Sequence, residues 1–396
     1  MSKVLLIYHF FYPDPVVSAR LFADLAKDLK AAGHDVTAYT CDSLIRSDEK
    51  LAKQEVWEGV NIERFSRPGF SQGSNIGRVI NSFVLQIKWL LAFLKNRKKF
   101  DVVILGTDPQ FSYCMLPFMR LMNRRIQLMH WVFDLYPEAV LVNSPLWMRV
   151  AASMIKPFLP IVYRRVDVMA DIGKCMRQRL MRYRHKAECA TLTPWALVEP
   201  DRIPDADPVI RKELFGDAKL GLLYSGTVGY AHDLSEFIAL ARQCRQAGVD
   251  AAFCFAGYGN CYKTQTAQIT EEDTNIRMVG FASEEDLEKR LASADIHLIS
   301  LRPGWEGIVV PSKFFGALAI GRPVLYSGTV DGDIPIWLEQ YGIGRVVQKD
   351  LTLDWLKEMI AQPEKMQTLK NNAYSCYHQE FSRKKVTERW LELLKR

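Results

Sequence analysis

Zinc-type cysteine spacing is missing from this chain, and so are histidine clusters, internal repeats and low-complexity tracts. The eight cysteines, at 41, 114, 175, 189, 244, 254, 261 and 376, include no C-x-x-C pair. A chain of 396 residues needs no disulfide staples, so they read as reduced thiols in the cytosol. Glycine (23) and proline (18) are too sparse for a collagen-like or disordered polymer. Scattered histidines, and no D-x-D at a strand end, lead us to expect no metal. No apolar run of about 20 residues is free of charge, which argues against a bilayer span. The opening VLLIYHFFYP is broken by His9 and Pro13 and lacks a small-residue cleavage site, so it reads as a buried strand rather than a signal peptide.

The charge that is present is unevenly spread. The net value is +7, but residues 1–200 hold 28 basic against 18 acidic side chains while residues 201–396 hold 24 against 27. A basic half can meet nucleic acid, an anionic membrane or an anionic substrate. Here the cations keep apolar company: IGRVINSFVLQIKWLLAFLKNRKK (76–99) and WMRVAASMIKPFLPIVYRR (147–165) interleave Lys and Arg with aliphatic and aromatic residues. Each is either a core-packing helix with a solvated basic edge or a helix lying on a membrane surface. Their joint presence in the more basic half favours an anionic membrane surface as partner, and no recognised nucleic-acid module is present.

Apolar patterning alternates short strand-like runs with longer helical ones, the rhythm of βαβ units and parallel sheets. Strands are predicted at 4–10, 35–40, 101–106, 125–133 and 166–173, then at 219–226, 250–257, 276–281, 295–300 and 323–328. Between the two sets, PWALVEPDRIPDADP (194–208) carries four prolines and no periodicity. The expectation is two Rossmann-like α/β domains, 1–195 and 209–379, joined by a linker at 196–208, with a C-terminal helix (380–396) returning to the first. In open parallel sheets ligands bind beyond the carboxyl ends of the strands, which places the default site in a cleft between facing domains.

The most informative segment is LRPGWEGIVVPSKFFGALAIG (301–321). A strand ends at Ser300, a glycine-bearing loop follows, and a helix begins near Ser312. Backbone amides from Gly307 to Ser312 can hold an anion, with Arg302 and Lys313 adding full charges; a surface lysine on a connecting helix is the bland alternative.

The run PSKFFGALAIGRPVL (311–325), preceded by Glu306 and Gly307, resembles the donor-site signature of family 4 glycosyltransferases with the GT-B fold. HFFYPDP, LFADLAKDLKAAGHDVTAYT (21–40), HWVFDLYPEA (130–139), LYSGTVGYAHDL (223–234), CFAGYGN (254–260) and IRMVGF fall in the same order over nearly the whole chain. The DLYP and PSK forms are similar to the subgroup acting on polyprenyl-diphosphate-linked intermediates of bacterial surface polysaccharides such as O-antigen. The resemblance implies a metal-independent, retaining hexosyl or N-acetylhexosaminyl transferase without a cofactor, peripheral on the cytoplasmic side of the inner membrane. It implies a nucleotide diphosphate sugar, UDP-linked, in the second domain and a lipid-linked acceptor in the first.

Carried over by position, Gly226 and Thr227 line the diphosphate, Tyr258 and Phe281 the base, and Glu306, Gly307, Ile308, Val309 and Val310 the sugar and ribose, beside Arg302, Ser312 and Lys313. His130 and Asp134 are expected beside the reacting hydroxyl, positioning it or taking its proton, with Asp14, Arg20 and Glu138 as acceptor contacts. Glu306 completes the catalytic set. The family's usual second glutamate falls on Gly316, and the loop 227–234 offers His232 in place of a basic pair. A nucleotide-sugar epimerase or hydrolase on the same fold, and a non-catalytic partner subunit, are the alternatives.

Overall fold

Short, β-branched and aliphatic runs form the strands, and the amphipathic stretches between them cover both faces. The computed structural model describes residues 1–45, 49–70, 75–259, 261–283 and 285–395. Contacts divide the chain into two units, one of Met1–Thr193, Gly307–Val309 and Thr387–Arg396, the other of Pro194–Glu306 and Val310–Val386.

The first unit is built on eight strands: β1 (Lys3–Ile7), β2 (Asp35–Cys41), β3 (Gln54–Trp57), β4 (Val60–Phe65), β5 (Val102–Gly106), β6 (Gln127–Trp131), β7 (Val168–Asp171) and β8 (Glu188–Thr191). Their order is β3-β4-β2-β1-β5-β6-β7-β8, parallel except for β3. Helix α1 (Val17–Ala31) buries Leu21, Phe22, Leu25 and Leu29. The long α2 (Asn75–Asn96) seats Leu85, Trp89 and Phe93 in the core. Four short helices follow, α3 (Leu116–Met122), α4 (Glu138–Asn143), α5 (Leu146–Ile155) and α6 (Leu159–Tyr163). The end of the chain joins this unit: Thr387 Oγ1 donates to Asp28 Oδ2 at 2.9 Å, and the Trp390 ring meets Trp131 at 5.2 Å.

The second unit carries six parallel strands, β9 (Leu220–Thr227), β10 (Ala251–Tyr258), β11 (Ile276–Val279), β12 (Ile296–Ser300), β13 (Val324–Ser327) and β14 (Gly344–Val346), in the order β11-β10-β9-β12-β13-β14. The proline-rich stretch from 194 belongs to this unit rather than standing apart. Buried Arg322 donates from Nη2 to the Pro204 carbonyl at 2.8 Å, and Asp207 caps the helix Pro208–Phe215 through the amides of Val209 and Ile210. Long-range anchoring of this kind leaves no local periodicity to read.

Each sheet reverses its order once, between β1 and β5 in the first and between β9 and β12 in the second. At such a reversal neighbouring connections leave in opposite directions and open a crevice beyond the carboxyl ends.

Gly106 shows how tightly the first reversal is packed. A Cβ there would lie 2.3 Å from the Tyr8 ring, which stacks on Phe22 at 4.2 Å. Gly106→Ala is therefore expected to cost about 1–3 kcal/mol by overpacking, read as a lower urea midpoint with an unchanged m-value; a midpoint equal to the wild type would show that the ring yields freely.

Candidate functional site

In the second unit the functional cluster sits at the β9/β12 reversal. Gly226 ends β9 at φ +127°, a conformation that favours glycine, and the stem of Lys313 lies over it: a Cβ would come within 2.7 Å of Lys313 Cε. Lys313 Nζ donates to the Thr227 carbonyl at 2.8 Å and stands 5.2 Å over the Tyr224 ring. It is also 3.4 Å from His232 Nε2. The His232 Nδ1 is 2.8 Å from the Ser300 carbonyl, which can only accept, so Nδ1 carries the hydrogen and Nε2 faces Lys313 bare. Burial lowers Lys313 to about 7, while burial and the neighbouring Lys313 and Arg302 charges lower His232 to about 3. Arg302 donates from Nε to the His232 carbonyl at 3.0 Å and lies 3.4 Å from Asp233. A cation desolvated without a carboxylate on it is poised to accept an anion, because a bound diphosphate would restore the charge that burial disfavours.

Around this cluster the structure brings together several residues the sequence singled out. Tyr258 and Phe281 meet edge to face at 4.9 Å, Phe281 largely exposed. Glu306 accepts from the Gly304 amide at 2.9 Å and from Thr329 Oγ1 at 2.7 Å, which fixes its carboxylate in the loop after β12. Ser312 is exposed and immediately precedes the helix Lys313–Ala319; Val310 is half-buried. Gly307, Ile308 and Val309 cluster instead with the first unit, where the Leu135 amide donates to the Ile308 carbonyl at 2.9 Å. Gly316 is helical, and among the described residues a Cβ on it would meet only Leu291 Cδ1, at 4.0 Å.

In the first unit the β1/β5 reversal gathers groups that sequence reasoning missed. His9 Nδ1 lies 3.2 Å from Asp108 Oδ2, and Arg67 Nη1 is 3.3 Å from the other ring nitrogen. Burial opposes charge on His9, but Asp108, by charge and hydrogen bonding, together with a smaller influence from Cys41, outweighs it and lifts the imidazole to about 9. Asp134, in the loop after β6, is raised to about 6, first by burial and then by Asp108. Three adjacent loops, after β1, β5 and β6, thus deliver His9, Asp108 and Asp134 to one region. His9 stands inside the HFFYPDP motif; its partner lies 99 residues on, too far for any local signal.

Three other expectations change. His130 is fully buried in β6: its Nδ1 is 2.9 Å from the Leu105 carbonyl and its ring lies beside Tyr113 and Tyr163, so it faces the interior rather than the loop. Burial lowers it to about 4, and Nε2 has no partner among the described residues. Glu138 is likewise occupied inside, accepting from the Tyr183 hydroxyl with Lys156 at 3.9 Å. Asp14 is buried and accepts from the amides of Val16 (3.1 Å) and Ile45 (2.7 Å), the work of a loop anchor. Arg20 is half-buried on α1. Among the described residues no group of three His, Cys, Asp or Glu side chains could hold a metal ion.

Comparison with known proteins places this geometry. No family model matches the chain. Over 279 residues, 68% of this chain and 66% of the other, it is 24% identical to the probable glycosyltransferase WbjE of Pseudomonas aeruginosa; the match thus spans just under two thirds of that relative. Among solved structures, sucrose-phosphate synthase from Thermosynechococcus elongatus superposes with a TM-score of 0.74 at 15% identity, covering 100% of this chain and 98% of that one. Anabaena Alr3699/HepE, in complex with UDP-glucose, gives 0.66 at 13% identity over 100% of both chains. The chain has the GT-B fold. Within that fold both clusters lie where sheet order reverses, at the carboxyl ends of the strands.

The His9–Asp108 pairing has a spectroscopic consequence. With Asp108→Asn the two largest upward influences on His9 are lost while burial stays, so its midpoint should drop well below about 9, followed by ring-proton NMR. A variant that still titrates above 8 would show that another group holds the charge.

Proposed function

We propose that the protein is a retaining glycosyltransferase that moves a hexose or N-acetylhexosamine from a UDP-linked donor to a lipid-linked saccharide or polyprenyl diphosphate, in surface polysaccharide assembly on the cytoplasmic side of the inner membrane. The observation that carries this reading is the half-buried Lys313, with no carboxylate partner among the described residues, at the reversal of the second sheet, with Arg302 beside it and the Tyr258–Phe281 pair at a neighbouring strand end. The GT-B fold, the likeness to WbjE and the UDP-glucose in the HepE structure support it.

Transfer breaks the bond between the anomeric carbon and the diphosphate oxygen and forms one to the acceptor oxygen. The hydroxyl proton passes to the departing phosphate on the same face, and nucleoside diphosphate is released. Lys313 and Arg302 stabilise the charge that grows on the diphosphate, where preorganised cations act most strongly. Gly226 and Thr227 supply backbone at the same point, Tyr258 and Phe281 hold the base, and Glu306, held by Gly304 and Thr329, accepts from donor hydroxyls. In the first unit Asp134 orients the acceptor hydroxyl, and the charged His9 with Arg67 and Arg20 receives an anionic acceptor.

Lys313 gives the donor test. Because a diphosphate favours the charged amine, UDP should bind most tightly below pH 7 and weaken as pH rises through that value. Lys313→Ala should remove this dependence and lower kcat/KM at least about tenfold, roughly 1.4 kcal/mol. Calorimetric titration with UDP from pH 6 to 9 checks it, and a pH-independent affinity in the wild type, or an unaltered one in the variant, would displace the donor site from Lys313.

Asp134 gives the acceptor test. A carboxyl group with a pKa near 6 accepts a hydrogen bond most strongly, and cannot donate one, when ionised, so kcat/KM should fall as pH drops below about 6. Asp134→Asn should lose activity at least about tenfold and lose that acidic limb while UDP affinity stays unchanged. An acidic limb retained in the variant would assign it elsewhere.

A further inference from the structure

The least explained surface of the molecule is apolar and belongs wholly to the first unit. Along α2, Ile76, Ile80, Phe83, Ile87, Leu91 and Leu94 recur at spacings of three and four residues, one stripe of a helix. All six are exposed, Phe83 at 64%, although Leu85, Trp89 and Phe93 of the same helix are fully buried. A helix of 22 residues is about 33 Å long, so the stripe runs the length of a small domain. By length and composition α2 could cross a membrane. Its other side, however, is already built into the core, which leaves only the outward stripe to meet a partner.

Neighbouring helices extend that stripe. The short α3 packs between α2 and α6 and exposes Phe118 and Leu121, the latter at 72%. On α5, Trp147, Val150 and Met154 are exposed at one-turn spacing, and Phe158 and Ile161 continue the row into α6. Contiguous apolar exposure on this scale marks an interaction site.

Charge identifies the occupant. The segments 75–99, 111–126 and 146–165, which contain these helices, hold thirteen Lys or Arg residues and no Asp or Glu. Lys95, Lys98 and Lys99 at the end of α2, Arg124 and Arg125 after α3, and Arg149, Arg164 and Arg165 around α5 and α6 are exposed. A second copy of the chain would set this cationic face against another of the same sign. An anionic bilayer complements both parts at once, taking the apolar stripe below the headgroups and the cations at their level.

We infer that α2, α3, α5 and α6 together form a docking face for an anionic phospholipid membrane, lying in the interface without crossing it. This deepens the proposed reading, on which the acceptor is lipid-linked, by naming the surface that meets the lipid. The face also adjoins the first unit's reversal. Gln86 on α2 donates to the Gln110 carbonyl at 3.2 Å, and Gln110 in turn donates to the Tyr136 hydroxyl at 3.3 Å. These two loops carry Asp108 and Asp134, so docking by this face sets them beside the headgroup layer.

Sedimentation with vesicles tests the proposal without donor or acceptor. The full chain should bind vesicles of phosphatidylcholine and phosphatidylglycerol (3:1) at least about tenfold more tightly than phosphatidylcholine alone, and the difference should shrink as salt rises from about 50 to about 500 mM. The double variant Phe83→Gln, Ile87→Gln alters two exposed side chains, so it should keep the wild-type melting temperature and UDP affinity while vesicle binding falls at least about tenfold. No binding to anionic vesicles, equal binding to both compositions, or wild-type binding by the double variant would each overturn the docking face. Because UDP affinity is measured separately, loss of vesicle binding with intact UDP binding leaves the transfer reading standing, and the converse leaves the docking face standing.

Discussion

Parallel strand order that reverses once within a sheet is the constraint on which the functional geometry rests. Two connections leave the reversal in opposite directions, and nothing in the sheet itself fills the gap between them. In the second unit that gap receives Lys313, His232 and Arg302; in the first it receives His9 and Asp108. The residues come from distant parts of the chain, yet the topology alone is enough to collect them. Electrostatics then follows from burial. A lysine without a carboxylate loses charge and a histidine beside one gains it, so the two units present oppositely tuned cations at corresponding places.

The βαβ rhythm was readable because a strand buried on both faces is a continuous apolar run and a covering helix is amphipathic. Strands at the sheet margins were not. Gln54–Trp57 and Val60–Phe65 form an edge hairpin around Glu58 and Gly59, in which Val56 faces solvent and Glu55 is half-buried, and Glu188–Thr191 and Gly344–Val346 are only four and three residues long. Such segments owe their conformation to the neighbour they pair with.

Site residues divide along the same line. Lys313, Arg302, Gly226 and the Tyr258–Phe281 pair are legible because each belongs to a strand end, the loop after it or, for Lys313, the first residue of the helix that follows, and such a junction carries its own signal. His130 and Glu138 show where that signal stops: both lie beside the loop of Asp134, but strand alternation turns the first inward and Tyr183, 45 residues away, takes the second. His9 is the reverse case, a histidine noted only for breaking the opening apolar run, whose charge is favoured by an aspartate 99 residues distant. A sequence shows which residues can ionise; only the fold shows which of them share an environment.

Gly316 has a thermodynamic meaning of its own. Glycine inside a helix costs roughly 0.5–1 kcal/mol relative to alanine, because the unfolded chain has more freedom to lose. That cost is often the consequence of crowding, where no larger side chain fits. Here there is no crowding: a Cβ would touch a single leucine methyl at ordinary contact distance. Helix stability therefore favours any other small residue at this position. The chain forgoes that stability and keeps an unfilled volume on the same short helix as Lys313.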